Sequence, residues 1–170
     1  MSATLAGRLE AVFKDIRTGA DGDARLTVAA TPESVLPVLV FLKDSGYGYL
    51  QLVSCVDWIE RGEMEVVYVL SAYPGGPVET EFESIVLKTR VPRDTPSLDT
   101  AIDVFPVAEP YEREIHELFG VHFEGHPRLV PLFLEREYEI PPFRKDFDTR
   151  EYVEDVFGAV PPVVEESQEP

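Results

Sequence analysis

The stretch YLQLVSCVDWIERGEMEVVYVLSAY, residues 49–73, decides the fold. Two runs rich in Val, Tyr and Leu, 49–58 and 64–73, flank a short polar connector, Glu60-Arg61-Gly62-Glu63. Apolar β-formers on both sides of a glycine-bearing turn read as an antiparallel hairpin. Pro74-Gly75-Gly76-Pro77 marks a second turn. Residues 81–91 then supply a further strand, with Phe82, Ile85, Leu87 and Thr89 as inward candidates.

Upstream of the hairpin the pattern alternates. Leu5, Leu9, Val12, Phe13 and Ile16 recur at helical spacing and predict a helix over 4–16. Residues 19–23, Gly-Ala-Asp-Gly-Asp, read as a turn, and 25–29 as a brief strand. Thr31 is the expected cap of a second helix, with Pro32 at its first position and Gly46 as its stop. Downstream, Pro92 and Pro96 break the β pattern, and Ser97 opens a predicted helical stretch through Val104. A clearer helix starts at Pro110, where Tyr111, Ile115, Leu118 and Phe119 form one stripe that ends at Gly120. Beyond it, Pro127, Pro131, Pro141 and Pro142 forbid long regular elements. Residues 151–157 predict a short last helix, and 160–170, rich in proline and glutamate, are expected to be disordered.

Together these readings give an α+β domain over 1–120: one mixed or antiparallel sheet with helices on one face. An extended, partner-wrapping segment over 121–159 and the acidic tail follow it.

Composition narrows the function. With 15 Lys and Arg against 32 Asp and Glu, the formal charge is −17. Such a chain is a poor ligand for nucleic acid or anionic lipid, both of which need clustered cations. One cysteine, Cys55, makes no intrachain disulfide, no multi-thiolate zinc site and no iron–sulfur cluster. A reducing compartment fits this cysteine usage. The longest apolar run, 35–42, is too short to cross a bilayer and contains Pro37. The N-terminal residues lack a signal-peptide core. A Gly-x-Ser-x-Gly elbow, a Gly-x-Gly-x-x-Gly turn and a phosphate-binding loop are all missing from the sequence.

Two constellations remain. His116, His122 and His126 fall within eleven residues, interleaved with Glu112, Glu117 and Glu124. Imidazole and carboxylate are metal ligands, so a metal-dependent enzyme built on the three histidines is the alternative reading. Spacing weakens it: Gly120 and Pro127 put the histidines on different local elements. The second constellation is charged: Glu112-Arg113-Glu114 on the helix, and Arg144-Lys145-Asp146 between Phe143 and Phe147. Adjacent cations beside aromatics, in so acidic a chain, have an interface composition.

The run from Tyr111 to Pro127, YEREIHELFGVHFEGHP, resembles the signature of the 30-kilodalton subunit of respiratory complex I. Related subunits occur in membrane-bound energy-converting [NiFe] hydrogenases. Arg144-Lys145-Asp146-Phe147 is similar to the family's shorter second motif, and Cys55-Val56-Asp57-Trp58 to its middle strands. Three departures, Ile140-Pro141-Pro142-Phe143 in place of Gly-His-Pro-Leu, Asp148 in place of proline, and no basic pair over Val130 to Leu134, lean towards a hydrogenase-type or other complex I relative.

The resemblance implies a non-catalytic structural subunit in the peripheral arm of a complex I-like oxidoreductase. It implies no cofactor and no catalytic residue in this chain. It implies a hetero-oligomer in which this chain packs on the large subunit that resembles the [NiFe]-hydrogenase catalytic subunit, near a small iron–sulfur subunit. The location implied is cytoplasmic, peripheral on the inner face of the membrane. The matched motif positions are the expected interface: Glu112, Arg113, Glu114, Phe119, Gly120, Glu124, Gly125, His126, Pro127, Arg144, Lys145 and Asp146.

Overall fold

The hairpin forms as its sequence dictates. In the computed structural model, which describes residues 4–21, 25–73, 81–134 and 138–158, β3 (Tyr49–Trp58) and β4 (Glu63–Ser71) pair antiparallel around a 3₁₀ turn, Ile59–Arg61. Gly62 closes that turn at φ 65°, a left-handed conformation that costs a residue with a Cβ but not glycine. β5 (Ser84–Pro92) adds antiparallel to β4, and β2 (Arg25–Ala29) adds parallel to β5. The predicted turn at 19–23 is instead strand up to Asp21: β1 (Arg17–Asp21) pairs with β2 and completes a five-stranded mixed sheet, β1-β2-β5-β4-β3. Glycine and aspartate disfavour strand locally, but an edge strand needs only one hydrogen-bonded neighbour.

Alternation then writes the core across the sheet. Leu26, Ile85, Leu70 and Leu50 form one row of registered neighbours, and Val28, Leu87, Tyr68 and Val53 the next. Thr89, Val66 and Cys55 follow, then Val91, Met64 and Asp57. All are buried. Onto this face pack α1 (Leu5–Val12) through Leu5 and Leu9, α2 (Val35–Asp44) through Val35, Val38, Leu39 and Leu42, and α3 (Ala108–Phe119) through Ile115. Each such side chain, fully buried, contributes about 1.5–3 kcal/mol relative to exposure.

Three local expectations are corrected. α1 stops at Val12, because Phe13 turns extended (φ −107°, ψ 122°) and carries the chain into β1. Thr31 makes no capping bond; its hydroxyl donates to Asp15, as does that of Ser34, and these bonds hold the Asp15 carboxyl below its usual pKa. The predicted helix over 97–104 is a strand followed by a tight turn. β6 (Ser97–Asp99) pairs parallel with β7 (His122–Glu124), and Val104 and Phe105 donate back to the Ala101 carbonyl. A strand so short is set by its partner rather than by its own sequence. Residues 121–124 thus pack with the body, where Val121 and Phe123 are core. A last helix, α4, spans Thr149–Phe157. The expected turn at 74–77 and the tail at 160–170 lie outside the described residues.

Candidate functional site

α3 is the frame of the site. Its stripe, Ile115 and Leu118, is buried, and Gly120 ends it at φ 81°, donating its amide to the His116 carbonyl. Glu112 lies inside the fold, 0% exposed, not on the surface where an interface residue would be. It ties α3 to the turn after β6: its carboxylate accepts the Thr100 hydroxyl at 2.5 Å and the Ala101 amide at 2.7 Å. Burial pushes its pKa up to about 6, against the pull of those two donors.

The next face of α3 holds the following segment. Arg113 points away from the core, as its place on the helix predicts. It pairs with Glu109 at 3.4 Å, and its Nε and Nη2 donate to the Val130 and Pro131 carbonyls at 3.0 and 2.9 Å. Glu117 accepts the amides of Leu132, Phe133 and Leu134. Glu114 is half-buried. A cleft of about 230 Å³ lies beside this segment, lined by His116, Glu117, Gly120, Pro131, Leu134, Tyr138 and Pro141.

The second motif folds back onto the body, and its anchor is Arg93. Arg93 binds Asp57 with two bonds (Nε 2.7 Å, Nη2 2.9 Å) and Asp146 with two more (Nη1 3.0 Å, Nη2 2.6 Å). Its guanidinium holds both carboxyls below the usual carboxylate range, and they raise its own pKa. Asp57 also accepts the Lys145 amide at 2.8 Å. Arg144 donates to the Arg93 carbonyl at 2.7 Å, and the Phe143 amide donates to the Leu118 carbonyl. Phe119 meets Phe143 edge-on at 5.8 Å. A Cβ on Gly120 would stand 3.0 Å from Pro141 Cγ, so the close seat of this segment needs glycine there. The Lys145 ammonium lies 5.9 Å over the Trp58 ring, and the Arg61 guanidinium 5.0 Å.

The remaining signature residues are local. Gly125 sits at φ 80°, Pro127 is exposed, and Glu124 accepts the Ser97 hydroxyl at 3.3 Å. The three-histidine centre is not formed. His116 Nδ1 is engaged by the Val121 carbonyl, and His122 stands against it with ring centroids 6.3 Å apart. His126 turns away to the Glu109 carbonyl and the Arg128 amide. Among the described residues, no group of three His, Cys, Asp or Glu is placed to hold a metal ion. The Cys55 thiol is pushed up to about 12 by burial, which leaves it a packing residue rather than a nucleophile.

Arg93 and Asp57 carry the site, and Arg93 was missed by motif reading. A signal existed. The inward alternation of β5, Ile85-Leu87-Thr89-Val91, continues to Arg93, and that of β3, Val53-Cys55, continues to Asp57. Two opposite charges on the core face, at the same end of the sheet, are expected to find each other.

What the site holds outward is apolar. Phe133 is 68% exposed and Phe143 59%, with Val130 and Ile140 also exposed; Arg113 bonds the Val130 carbonyl, Glu117 the Phe133 amide and the Leu118 carbonyl the Phe143 amide.

Residues 28–153 match the family model described as "Respiratory-chain NADH dehydrogenase, 30 Kd subunit". The chain is 34% identical over 132 residues to the C-subunit of the F(420)H(2) dehydrogenase of Methanosarcina mazei, covering 76% of this chain and 80% of that one. It is 33% identical over 150 residues to the C-subunit of the NADH-quinone oxidoreductase of Roseiflexus sp. (strain RS-1), covering 85% and 83%. A chain in the structure of the membrane-bound sulfane sulfur reductase, an archaeal respiratory membrane complex, superposes with a TM-score of 0.78 at 27% identity, over 96% of this chain and 95% of that one. No helix among the described residues is long and apolar enough to cross a membrane.

Proposed function

Because the chain belongs to the family of the 30-kilodalton subunit of respiratory-chain NADH dehydrogenase, we propose that it is a non-catalytic, structural subunit in the peripheral arm of a complex I-like oxidoreductase. It docks on the hydrogenase-like large subunit, beside the small iron–sulfur subunit, and carries no cofactor of its own. It sits on the inner face of the membrane through that complex. The carrying observation is the clamped segment with its aromatic side chains turned to solvent: Phe133 and Phe143 are held out by backbone bonds to Glu117 and Leu118. Docking these side chains loses little chain entropy, because the backbone at Phe133 and Phe143 is already bonded.

The experiment is affinity purification of the complex through a tag on this chain. Phe133→Ser with Phe143→Ser is expected to lose the large subunit while the melting temperature of the chain stays within a few degrees, since both rings are largely exposed. Undiminished recovery of the large subunit would refute the reading.

A further inference from the structure

The sheet has a second face, and the helices do not cover it. Thr27, Val86, Val69 and Leu52 form one row across it, and Ala29, Lys88, Val67 and Ser54 the next, followed by Arg90, Glu65 and Val56. Leu52 is 39% exposed and Val56 37%, and Val67, Val69 and Val86 are half-covered, whereas the opposite face is buried throughout. Among the described side chains, this face carries Arg17, Arg25, Lys88 and Arg90 against Glu63 and Glu65. Both of those glutamates are already paired: Arg90 takes Glu65 at 2.9 Å and Glu63 at 3.2 Å, and Lys88 stands 3.8 Å from Glu65. Arg17 has no ion-pair partner among the described residues. In a chain of charge −17, this partly apolar face thus presents an exposed cation, Arg17, that no carboxylate among the described residues pairs.

A notch at the end of β2 sharpens the chemistry. It is lined by Asp15, Arg17, Thr31, Glu65, Lys88, Thr89 and Arg90. Two carboxylates in it are already engaged: Asp15 takes the hydroxyls of Thr31 and Ser34, and Glu65 takes Arg90. What is left is one donor, the exposed Arg17 guanidinium. We propose that the open sheet face is a second docking surface, distinct from the clamped segment, for a protein partner with an apolar patch that sets a carboxylate into the notch beside Arg17. Charge complementarity selects this occupant. A second copy of the chain would bring the same cations against each other.

The test is made in the assembled complex, with a photoreactive benzoylphenylalanine in place of Val69. The expected product is a cross-link to another subunit, in a peptide that contains aspartate or glutamate. Its yield is expected to fall about tenfold when Arg17→Glu is added, as for reversal of a steering charge. Arg17 is exposed and has no ion-pair partner among the described residues, so that variant folds; circular dichroism checks this. The Phe133 and Phe143 variants report on the other surface, so the two readings fail separately. A cross-link to a second copy, to vesicles of anionic phosphatidylglycerol or to nucleic acid overturns the proposal. So does a cross-link insensitive to Arg17→Glu, or no cross-link at all.

Discussion

Replacing Arg93 with methionine removes one side chain and strands a buried charge. Asp57 has a side chain only 1% exposed, and among the described residues Arg93 supplies two of its three hydrogen bonds, the third being the Lys145 amide. Removing one partner of a buried, hydrogen-bonded ion pair costs about 3–5 kcal/mol, most of it the desolvation of the charge left behind. The Asp146 arm is different. Its side chain is 40% exposed, so its loss through Asp146→Ala costs about 1 kcal/mol or less. Urea titration of the purified chain measures both. In a chain of this size, each kcal/mol moves the thermal midpoint by about 2–4 °C, so Arg93→Met is also visible on heating. Adding Asp57→Leu to Arg93→Met removes the stranded charge, and at least about 2 kcal/mol is expected to return. The pH dependence has a definite sign. Both carboxyls are depressed in the folded chain, so their contribution is present above the unfolded value of about 3.9 and is lost as pH falls through the folded ones. A loss below about 1 kcal/mol for Arg93→Met, or a double variant no more stable than the single, would refute this reasoning.

Glu112 has the opposite sign. Its folded pKa is raised to about 6, so its contribution is most favourable below the unfolded value of about 4.3 and is lost as pH rises through the folded one. Glu112→Gln is expected to gain on the wild type by about 2 kcal/mol between pH 4 and 7, read from paired urea titrations; a pH-independent difference would show the carboxyl to be unperturbed. Gly120→Ala is expected to cost about 1–2 kcal/mol, from the left-handed backbone and the clash with Pro141. Amide exchange at Phe143, which bonds the Leu118 carbonyl, is expected to quicken in that variant; unchanged exchange would mean the segment is seated without this contact.

The hairpin, the inward alternation of the third strand and the α3 stripe were legible because each is written in a local period: two residues for a strand, 3.6 for a helix. Phe82, Ile85, Leu87 and Thr89 are buried as expected. The family was legible too, since the run from Tyr111 to Pro127 is contiguous in the chain. Periodicity failed where a distant partner overrules local preference. Residues 97–99 read as helix but are held extended by 122–124, and 19–21 read as turn but are paired with β2. The charged motifs show the same division. Spacing put Arg113 outside α3, but Tyr111, Ile115 and Leu118 gave no hint that Glu112 would be enclosed, because Thr100 and Ala101, the donors that make its burial tolerable, come from another element. Arg144, Lys145 and Asp146 were recognisable as a motif, yet their seat on Arg93 and Asp57 spans separations of 51 to 88 residues. The chain's residues set which positions are charged, apolar or free to turn; only the folded tertiary structure brings Asp57, Arg93 and Asp146 within reach, because the low-polarity interior forces a buried charge to take whichever opposite charge the topology delivers.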